Sequence, residues 1–149
     1  DNKFSFIKLG KLMTNPFDKE ELLSQANVAV LATVDSNNQP HAMPIWYMYE
    51  DRKFVMTAGE NSQKAKNIER TGSATLVIDR RDPPYHALMI RGRAEIGPMP
   101  DPDWLRRLAV RYLGDERGKR YFQGLGDDIV SITLYPADVI EYLGVSGRT

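Results

Sequence analysis

The stretch VAVLATVDSNNQPHAMPIWYMY, residues 28–49, decides the fold. Its first part, Val28 to Val34, is a continuous apolar run rich in β-branched side chains, which is typical of a buried strand. The turn-forming letters DSNNQP then separate this run from a second one, His41 to Tyr49. We therefore expect a hairpin of two largely buried strands.

Further strands follow this hairpin, with few helices between them. Residues 50–52 predict a tight turn into a strand over Lys53 to Thr57, and Ser73 to Asp79 predict the next strand. From His86 to Ile96 the residues alternate, so that Ile90, Gly92, Ala94 and Ile96 face one way and Arg91, Arg93 and Glu95 the other. The last two predicted strands, Ile129 to Leu134 and Val139 to Leu143, are separated by Pro136.

Three helices are predicted, each from a signal at its start. Asn15 and Pro16 predict an N-cap and first turn for an amphipathic helix through about Gln25. A helix over Ser62 to Arg70 ends at Gly72. A third helix begins at Asp101 and Pro102, carries Trp104, Leu105, Leu108 and Tyr112 at helical spacing, and ends at Gly114.

Six or seven short strands without crossover helices predict an antiparallel barrel rather than a doubly wound sheet. The fold class is therefore mainly β (α+β), and we expect one domain over residues 1–149 because no linker, repeat or low-complexity tract interrupts them.

Composition excludes several classes of function. The 20 basic and 20 acidic residues cancel, so no overall field recruits nucleic acid or an anionic membrane. The absence of cysteine excludes disulfides, thiolate zinc sites, iron–sulfur clusters and a cysteine nucleophile. No apolar run of about 18 residues predicts a membrane span, and the first residues lack the apolar stretch of a secretory signal. We expect a cytoplasmic protein.

The common catalytic motifs are missing from the sequence. There is no Gly-rich dinucleotide fingerprint, no phosphate loop, no His-Glu-x-x-His helix and no Gly-x-Ser-x-Gly elbow. The two histidines, His41 and His86, are far apart in the sequence, so a histidine-based metal site is not predicted. No catalytic residue is predicted.

Residues 59–67, GENSQKAKN, have the chemistry of an anion site. A loop that leads into a helix presents unpaired backbone N–H groups and the positive end of the helix dipole. Ser62 can donate a hydrogen bond, and Lys64 and Lys66 add positive charge. Cations are unfavourable at a helix start, so a bound anion would explain the two lysines. An ordinary solvated surface helix remains the alternative.

Two other features have two interpretations each. In the run Pro44 to Tyr49, one strand face fills the barrel, and the other is either a flat wall for a planar ring or simply core packing. A basic cluster is either a solvated helix face or a rim that attracts an acidic cofactor tail or substrate carboxylates; it comprises Arg106, Arg107, Arg111, Arg117, Lys119 and Arg120.

Four features follow one another along the chain: VAVLATVDSNNQPHAMPIWY, a short strand, SQKAKN and YHALMIRGRAEI. In this order they resemble the pyridoxamine 5'-phosphate oxidase-like split β-barrel flavoproteins, and the resemblance runs from about Val28 to Leu143. The sequence is most similar to the subgroup that includes reductases dependent on coenzyme F-420, a deazaflavin. That subgroup repeats a Ser-Gln-Lys-Ala-x-Asn segment followed by Arg and Gly, which here is Ser62, Gln63, Lys64, Ala65, Asn67, Arg70 and Gly72.

The resemblance implies an FMN-binding type of split barrel, a homodimer with two cofactors at the subunit interface, and coenzyme F-420 or FMN as the cofactor. By residue match, Ser62, Gln63, Lys64, Lys66 and Asn67 would hold the phosphate end, and Pro44, Trp46 and Thr57 would line the ring. The further arginines that the oxidase itself uses are not matched in full, which argues against vitamin B6 oxidation.

The implied activity is transfer of a hydride to a conjugated small-molecule acceptor, with the cofactor carrying the chemistry. Three alternatives remain at this point: a non-catalytic FMN or haem carrier, an oxidase of the pyridoxamine 5'-phosphate type, and a cofactor-free interaction module on the same barrel.

Overall fold

A computed structural model describes residues 17–144 of the chain. Within them, the chain forms seven strands and four helices. In chain order these are α1 Lys19–Ser24, β1 Ala29–Val34, β2 Pro40–Ile45, β3 Met48–Glu50, β4 Lys53–Gly59, α2 Gln63–Thr71, β5 Ser73–Arg80, β6 Tyr85–Gly97, α3 Pro102–Leu113, α4 Asp115–Gln123 and β7 Ile129–Gly144.

The strands form one antiparallel sheet in the order β2-β1-β5-β6-β7-β4-β3. Strands β2 and β3 lie at opposite edges, yet only Trp46 and Tyr47 join them. Three Cα steps span at most about 11 Å, so the sheet must curve until its two edges meet. The predicted mainly β split barrel is therefore confirmed.

The core lies inside this curved sheet. Alternate side chains of the strands point inward and are at most 1% exposed, among them Leu31, Phe54, Met56, Leu76, Ile78, Ile90, Ile132 and Leu134. Tyr47 also points inward and is fully buried. Its hydroxyl donates to the backbone oxygen of Leu23 at 3.1 Å, so α1 closes one end of the barrel.

The predicted strand His41 to Tyr49 is wrong as a single buried element. It is divided into β2 and β3, and β2 is exposed or half-buried at every position except Ile45. The reason is that β2 is an edge strand that pairs only with β1, while the chain crosses at Trp46 to the other edge of the sheet.

Strand β7 is continuous where two strands were predicted. Pro136 does not end it, because pairing with β6 continues past a bulge: Arg91 pairs with Asp138, and Gly92 pairs with Pro136. Gly92 permits the close approach, since a Cβ there would lie 1.9 Å from the backbone oxygen of Tyr135. Pairing of β7 with β4, in contrast, ends at Leu134.

Two helix predictions need correction. Helix α1 begins at Lys19 and is capped by Asp18, whose side chain accepts a hydrogen bond from the backbone N–H of Glu21; Asn15 and Pro16 lie outside the described residues. Helix α4 was not predicted, because its sequence DERGKRYFQ carries no apolar stripe. It packs tightly on α3 at Gly118, where a Cβ would lie 2.6 Å from the Cα of Val110.

Helices α3 and α4 cover the outer side of β3 and β4. Met48, Trp104, Leu105 and Leu108 form a second buried cluster there, joined by half-buried Trp46, Val55, Tyr112, Phe122 and Leu125. The caps of α3 are those predicted, Asp101 and Gly114. Among the described residues, none of the helices combines the length and apolar character needed to cross a membrane.

Candidate functional site

The start of α2 presents two free backbone donors. Ser62 caps the helix: its Oγ accepts from the N–H of Ala65 at 3.3 Å, and its backbone oxygen accepts from Lys66 at 3.1 Å. The N–H groups of Gln63 and Lys64 have no hydrogen-bond partner among residues 17–144. Since a helix start carries partial positive charge, these groups suit an anion.

The side chains at this helix start add positive charge. Lys64 is half-buried and Lys66 is exposed, and neither forms an ion pair with a described residue. The first turn of α2 contains no acidic residue. The donor set of N–H groups, a hydroxyl and two ammonium groups therefore fits a phosphate, because an anion would compensate charges that the helix dipole disfavours.

The loop before α2 is held in place by backbone bonds. The N–H of Ser62 donates to the oxygen of Gly59 at 3.0 Å, and the N–H of Glu60 donates to the oxygen of Asp128 at 2.9 Å. The second bond connects the loop to the segment between α4 and β7. The candidate site therefore borders the end of the α3–α4 unit.

Asn67 has a structural environment unlike that of the lysines. It is fully buried, and its Nδ2 donates to the Oγ1 of Thr33 at 3.0 Å. Its Oδ1 accepts from the Nε2 of Gln63 at 2.7 Å and from Arg70 at 3.4 Å. Arg70 also donates to the backbone oxygen of Val34. The amide is thus used within the chain, and it fixes α2 against β1.

The three residues expected to line a ring lie on the outer side of the sheet or next to it. Thr57 is half-buried and pairs with Ser131, while Pro44 is exposed on β2. The ring of Trp46 stacks on Tyr112 with centroids 5.0 Å apart and an interplanar angle of 3°. It also contacts Tyr121 at 5.3 Å. The indole therefore already has aromatic partners within the chain.

Comparison with known proteins agrees with this fold. The sequence profile described as Pyridoxamine 5'-phosphate oxidase matches residues 18–135. The chain belongs to the pyridoxamine 5'-phosphate oxidase family. The resemblance seen in the sequence is thereby confirmed.

Relatives of this oxidase-family chain include reductases. It is 31% identical over 99 residues to a biliverdin reductase of Mycobacterium tuberculosis that depends on reduced coenzyme F-420, a match covering 64% of this chain and 67% of the relative. The fold matches an F-420 reductase with a TM-score of 0.69 at 24% identity, covering 86% of this chain and 98% of that one. It matches a conserved hypothetical protein of M. tuberculosis with a TM-score of 0.69 at 20% identity, covering 89% and 91%.

Half of the basic cluster in this oxidase-family chain has structural partners. Arg106 and Arg107 bind the carboxylate of Asp103 at 2.7 and 3.1 Å, and their hydrogen bonds hold its pKa below the ordinary value. Arg111 donates to the backbone oxygens of Ser24 and Gln25, which joins α3 to α1. Arg117, Lys119 and Arg120 on α4 are exposed and have no ion pair with described residues.

An aromatic hydroxyl pair links the barrel to α3. The hydroxyl of Tyr112 accepts from the backbone N–H of Tyr47 at 3.1 Å and donates to the oxygen of Asn27 at 3.0 Å. Burial raises the pKa of Tyr47, and Tyr112 raises it further, while Arg111 opposes the shift. Tyr47 is therefore a protonated core residue whose buried hydroxyl is already bonded to the backbone oxygen of Leu23.

The two histidines have different surroundings. His86 is buried, and its Nε2 lies 2.7 Å from the Oε2 of Glu141, while the ring of Phe17 meets it edge-on at 5.7 Å. His41 is half-buried on β2. Among residues 17–144 no group of three or more His, Asp or Glu side chains is arranged to hold a metal ion.

Sequence reasoning missed the pairings that connect distant segments. Asn67 binds Thr33 across 34 positions, and His86 meets Glu141 across 55. Neither pair has a local motif, because the partners belong to different strands or helices that only the sheet topology brings together. An alternation of buried and exposed positions could have placed His86 inside, but not its partner.

Proposed function

We propose that this protein is a flavin-type oxidoreductase that uses coenzyme F-420 or FMN to transfer a hydride to a conjugated small-molecule acceptor. The observation that carries the proposal is the start of α2, where two N–H groups and two lysines that have no partner among residues 17–144 meet the needs of a cofactor phosphate. Family membership and the likeness to an F-420-dependent biliverdin reductase support the same chemistry.

In the proposed function, the residues of the site have different roles. Ser62, Lys64, Lys66 and the N–H groups of Gln63 and Lys64 bind the phosphate, while the buried amide of Asn67 keeps α2 in position. Pro44 and Thr57 lie beside the ring, and Trp46 supports this region through its stack on Tyr112. When bound, the cofactor supplies the hydride. The chain binds it, orients it and excludes water, and no side chain needs to act as a nucleophile.

A second subunit would complete this arrangement. On the outer side of the sheet, a row of apolar residues runs in register across five strands: Pro44, Val30, Val77, Met89 and Ile140. Ile140 is 42% exposed. An apolar face of this kind is stabilised when a partner covers it, so we propose a homodimer in which this row lies at the interface, and we place it in the cytoplasm.

Titration of the purified full chain with FMN, coenzyme F-420 and haem tests the proposal. We expect saturable binding of a flavin or deazaflavin, followed by absorbance or fluorescence, and transfer of its hydride to biliverdin in an anaerobic mixture. Haem binding without flavin binding would indicate a carrier and contradict the proposal. Failure of all three ligands to bind would contradict any cofactor-dependent function.

A further inference from the structure

A cavity lies away from the candidate cofactor site, at the point where the sheet divides. It has a volume of about 300 Å³, and Tyr49, Arg52, Phe54, Leu88, Ile90 and Val139 line it. We call it the split recess. Its volume is at the lower end of the range for small-molecule pockets.

The recess follows from the strand pairing. Strand β7 leaves β4 after Leu134 but stays paired with β6 as far as Gly144. The hairpin of β3 and β4 therefore separates from the second half of β7, and a gap opens between them. Val139 faces inward opposite Ile90, yet it is 48% exposed, because none of the strands in the described part of the chain covers that stretch of β7.

The floor and rim of the split recess differ in chemistry. Phe54, Leu88 and Ile90 form an apolar floor, each 1% exposed, and the ring of Tyr49 lies 4.8 Å from that of Phe54. At the rim, neither the hydroxyl of Tyr49 nor the guanidinium of Arg52 forms a hydrogen bond or an ion pair with residues 17–144, although Glu20 and Arg52 both interact electrostatically with Tyr49. A ligand with an apolar body and a polar end would match the apolar floor and the polar rim.

The rim has more donors than acceptors. Arg52, Lys19 and the hydroxyl of Tyr49 can donate hydrogen bonds, and Glu20 is the one carboxylate among the lining side chains. Lys19 also lies 3.6 Å from Glu141, which leaves Arg52 as the cation without an ion pair among the described lining residues. The position of Arg52 at the rim favours a ligand that carries a carboxylate.

The recess is separate from the α2 start. Phe54 and Gly59 stand at opposite ends of β4, about 17 Å apart at the usual rise of a strand. Phe54 also points inward, whereas Thr57 of the candidate cofactor site lies on the opposite face. A ligand of this recess would therefore not compete for the phosphate donors.

We propose that the split recess binds a small aromatic carboxylate, with the ring on Phe54 and Tyr49 and the carboxylate on Arg52. The occupant is an acid because a cationic guanidinium and a phenolic hydroxyl meet at the open edge of an apolar cavity. This site does not depend on the proposed cofactor chemistry.

Three probes that share a phenyl ring and a three-carbon chain test the head group: phenylpropionate, phenylpropanol and phenylpropylamine. We expect phenylpropionate to bind the full chain saturably, in calorimetry or ligand-observed NMR. The affinity for phenylpropanol should be lower by about tenfold or more. The amine should bind weakest. Equal binding of acid and amine, or no binding of any probe because another part of this chain or a second copy fills the recess, would overturn the proposal.

Two variants locate the site. Arg52→Asn removes the charge and keeps a residue that tolerates the left-handed backbone of Arg52, whose φ is 60°. It should weaken phenylpropionate binding about tenfold or more and leave phenylpropanol unchanged. Asp51→Asn, in the same turn with φ of 51°, is the matched control.

The second variant, Val139→Phe, should fill the recess and abolish binding of acid and alcohol alike, with an unchanged melting temperature as evidence of folding. Lys64→Ala should not alter phenylpropionate binding. Unchanged affinity in both Arg52→Asn and Val139→Phe would overturn the assignment to the split recess.

Discussion

At the scale of single residues, the α2 segment contains two kinds of polar side chain. Asn67 is fully buried and bonded to three other side chains, whereas Lys64 and Lys66 have no partner among the described residues. Buried amides that are fully bonded hold structure, and unpaired cations near free N–H groups are available to a ligand. The same short motif thus divides into residues that position the site and residues that can bind.

Lys64→Ala should weaken cofactor binding while the fold survives. Loss of a charge-assisted bond to a phosphate costs about 1.5–3 kcal/mol, or roughly ten- to a hundredfold in Kd. In the cofactor-free protein the same change should leave the melting temperature equal or slightly higher, because a cation opposes the dipole at a helix start. Titration of FMN and coenzyme F-420, with thermal melts of each apo protein, measures both effects.

The controls for Lys64 are Lys66→Ala, which should weaken binding less because Lys66 is exposed, and Lys119→Ala on α4, which should have no effect. Unchanged affinity for both cofactors in Lys64→Ala would refute the phosphate assignment. A lower apo melting temperature would identify this lysine as a structural partner.

Asn67→Ala should reduce the free energy of unfolding by about 1–3 kcal/mol, because it leaves the buried hydroxyl of Thr33 and the amide of Gln63 without their partner. Urea unfolding of the cofactor-free protein measures the change, and Asn61→Ala, in the exposed loop before α2, is the control. If the two variants unfold at the same urea concentration, Asn67 does not anchor α2.

At the scale of elements, helix α3 connects the barrel to the candidate site. Its inward side chains Trp104, Leu105 and Leu108 pack on Met48 of β3, and its Tyr112 both stacks on Trp46 and accepts a bond from Tyr47. Through α4 it also reaches the segment around Asp128, which binds the loop before α2. The position of α3 therefore determines where Trp46 can lie.

Trp104→Ala should lower the free energy of unfolding by about 3–5 kcal/mol, since it removes a large side chain that is 7% exposed in the second buried cluster. Denaturant unfolding followed by circular dichroism measures the loss. Tyr121→Ala, an exposed aromatic on α4, should cost much less. A loss below about 1 kcal/mol for Trp104 would mean that α3 is not anchored by this residue.

At the scale of the whole molecule, the outer side of the sheet has two halves. Helices α3 and α4 cover β3 and β4, whereas the apolar row through Val30, Val77 and Met89 has no covering element among residues 17–144. Pro44 belongs to that row, so the same partner would cover the row and one edge of the proposed ring site. Dimerisation and cofactor binding are therefore coupled in the proposed function.

Sedimentation at micromolar concentration should give a particle of about twice the 16.9 kDa chain mass. Met89→Glu should convert it to a monomer, because it places a charge in the middle of the apolar row. Met99→Glu makes the same exchange in an exposed loop and should leave the dimer intact. A wild-type particle of single-chain mass would contradict the dimer.

Local sequence signals by themselves determined most of the strands and the helix at the candidate site. Turn-forming residues, a continuous apolar run in β1 and alternation in β6 helped to predict strands β1, β4, β5 and β6, and Ser62 with Gly72 predicted the helix at the candidate site. These features depend on neighbouring residues only, through strand period, helix caps and the left-handed conformation of Gly72, whose φ is 66°.

Only the tertiary structure decided the features that join distant segments. The buried hydroxyl that Asn67 binds, that of Thr33, lies 34 positions away, and the indole of Trp46 packs against a helix that follows much later. Pro136 stays inside β7 because a bulge in β7 at Ala137 lets its pairing with β6 continue. Contacts of this kind depend on which strands become neighbours when the sheet closes. No local pattern of residue types carries that information, because the same pattern can pair with several different partners.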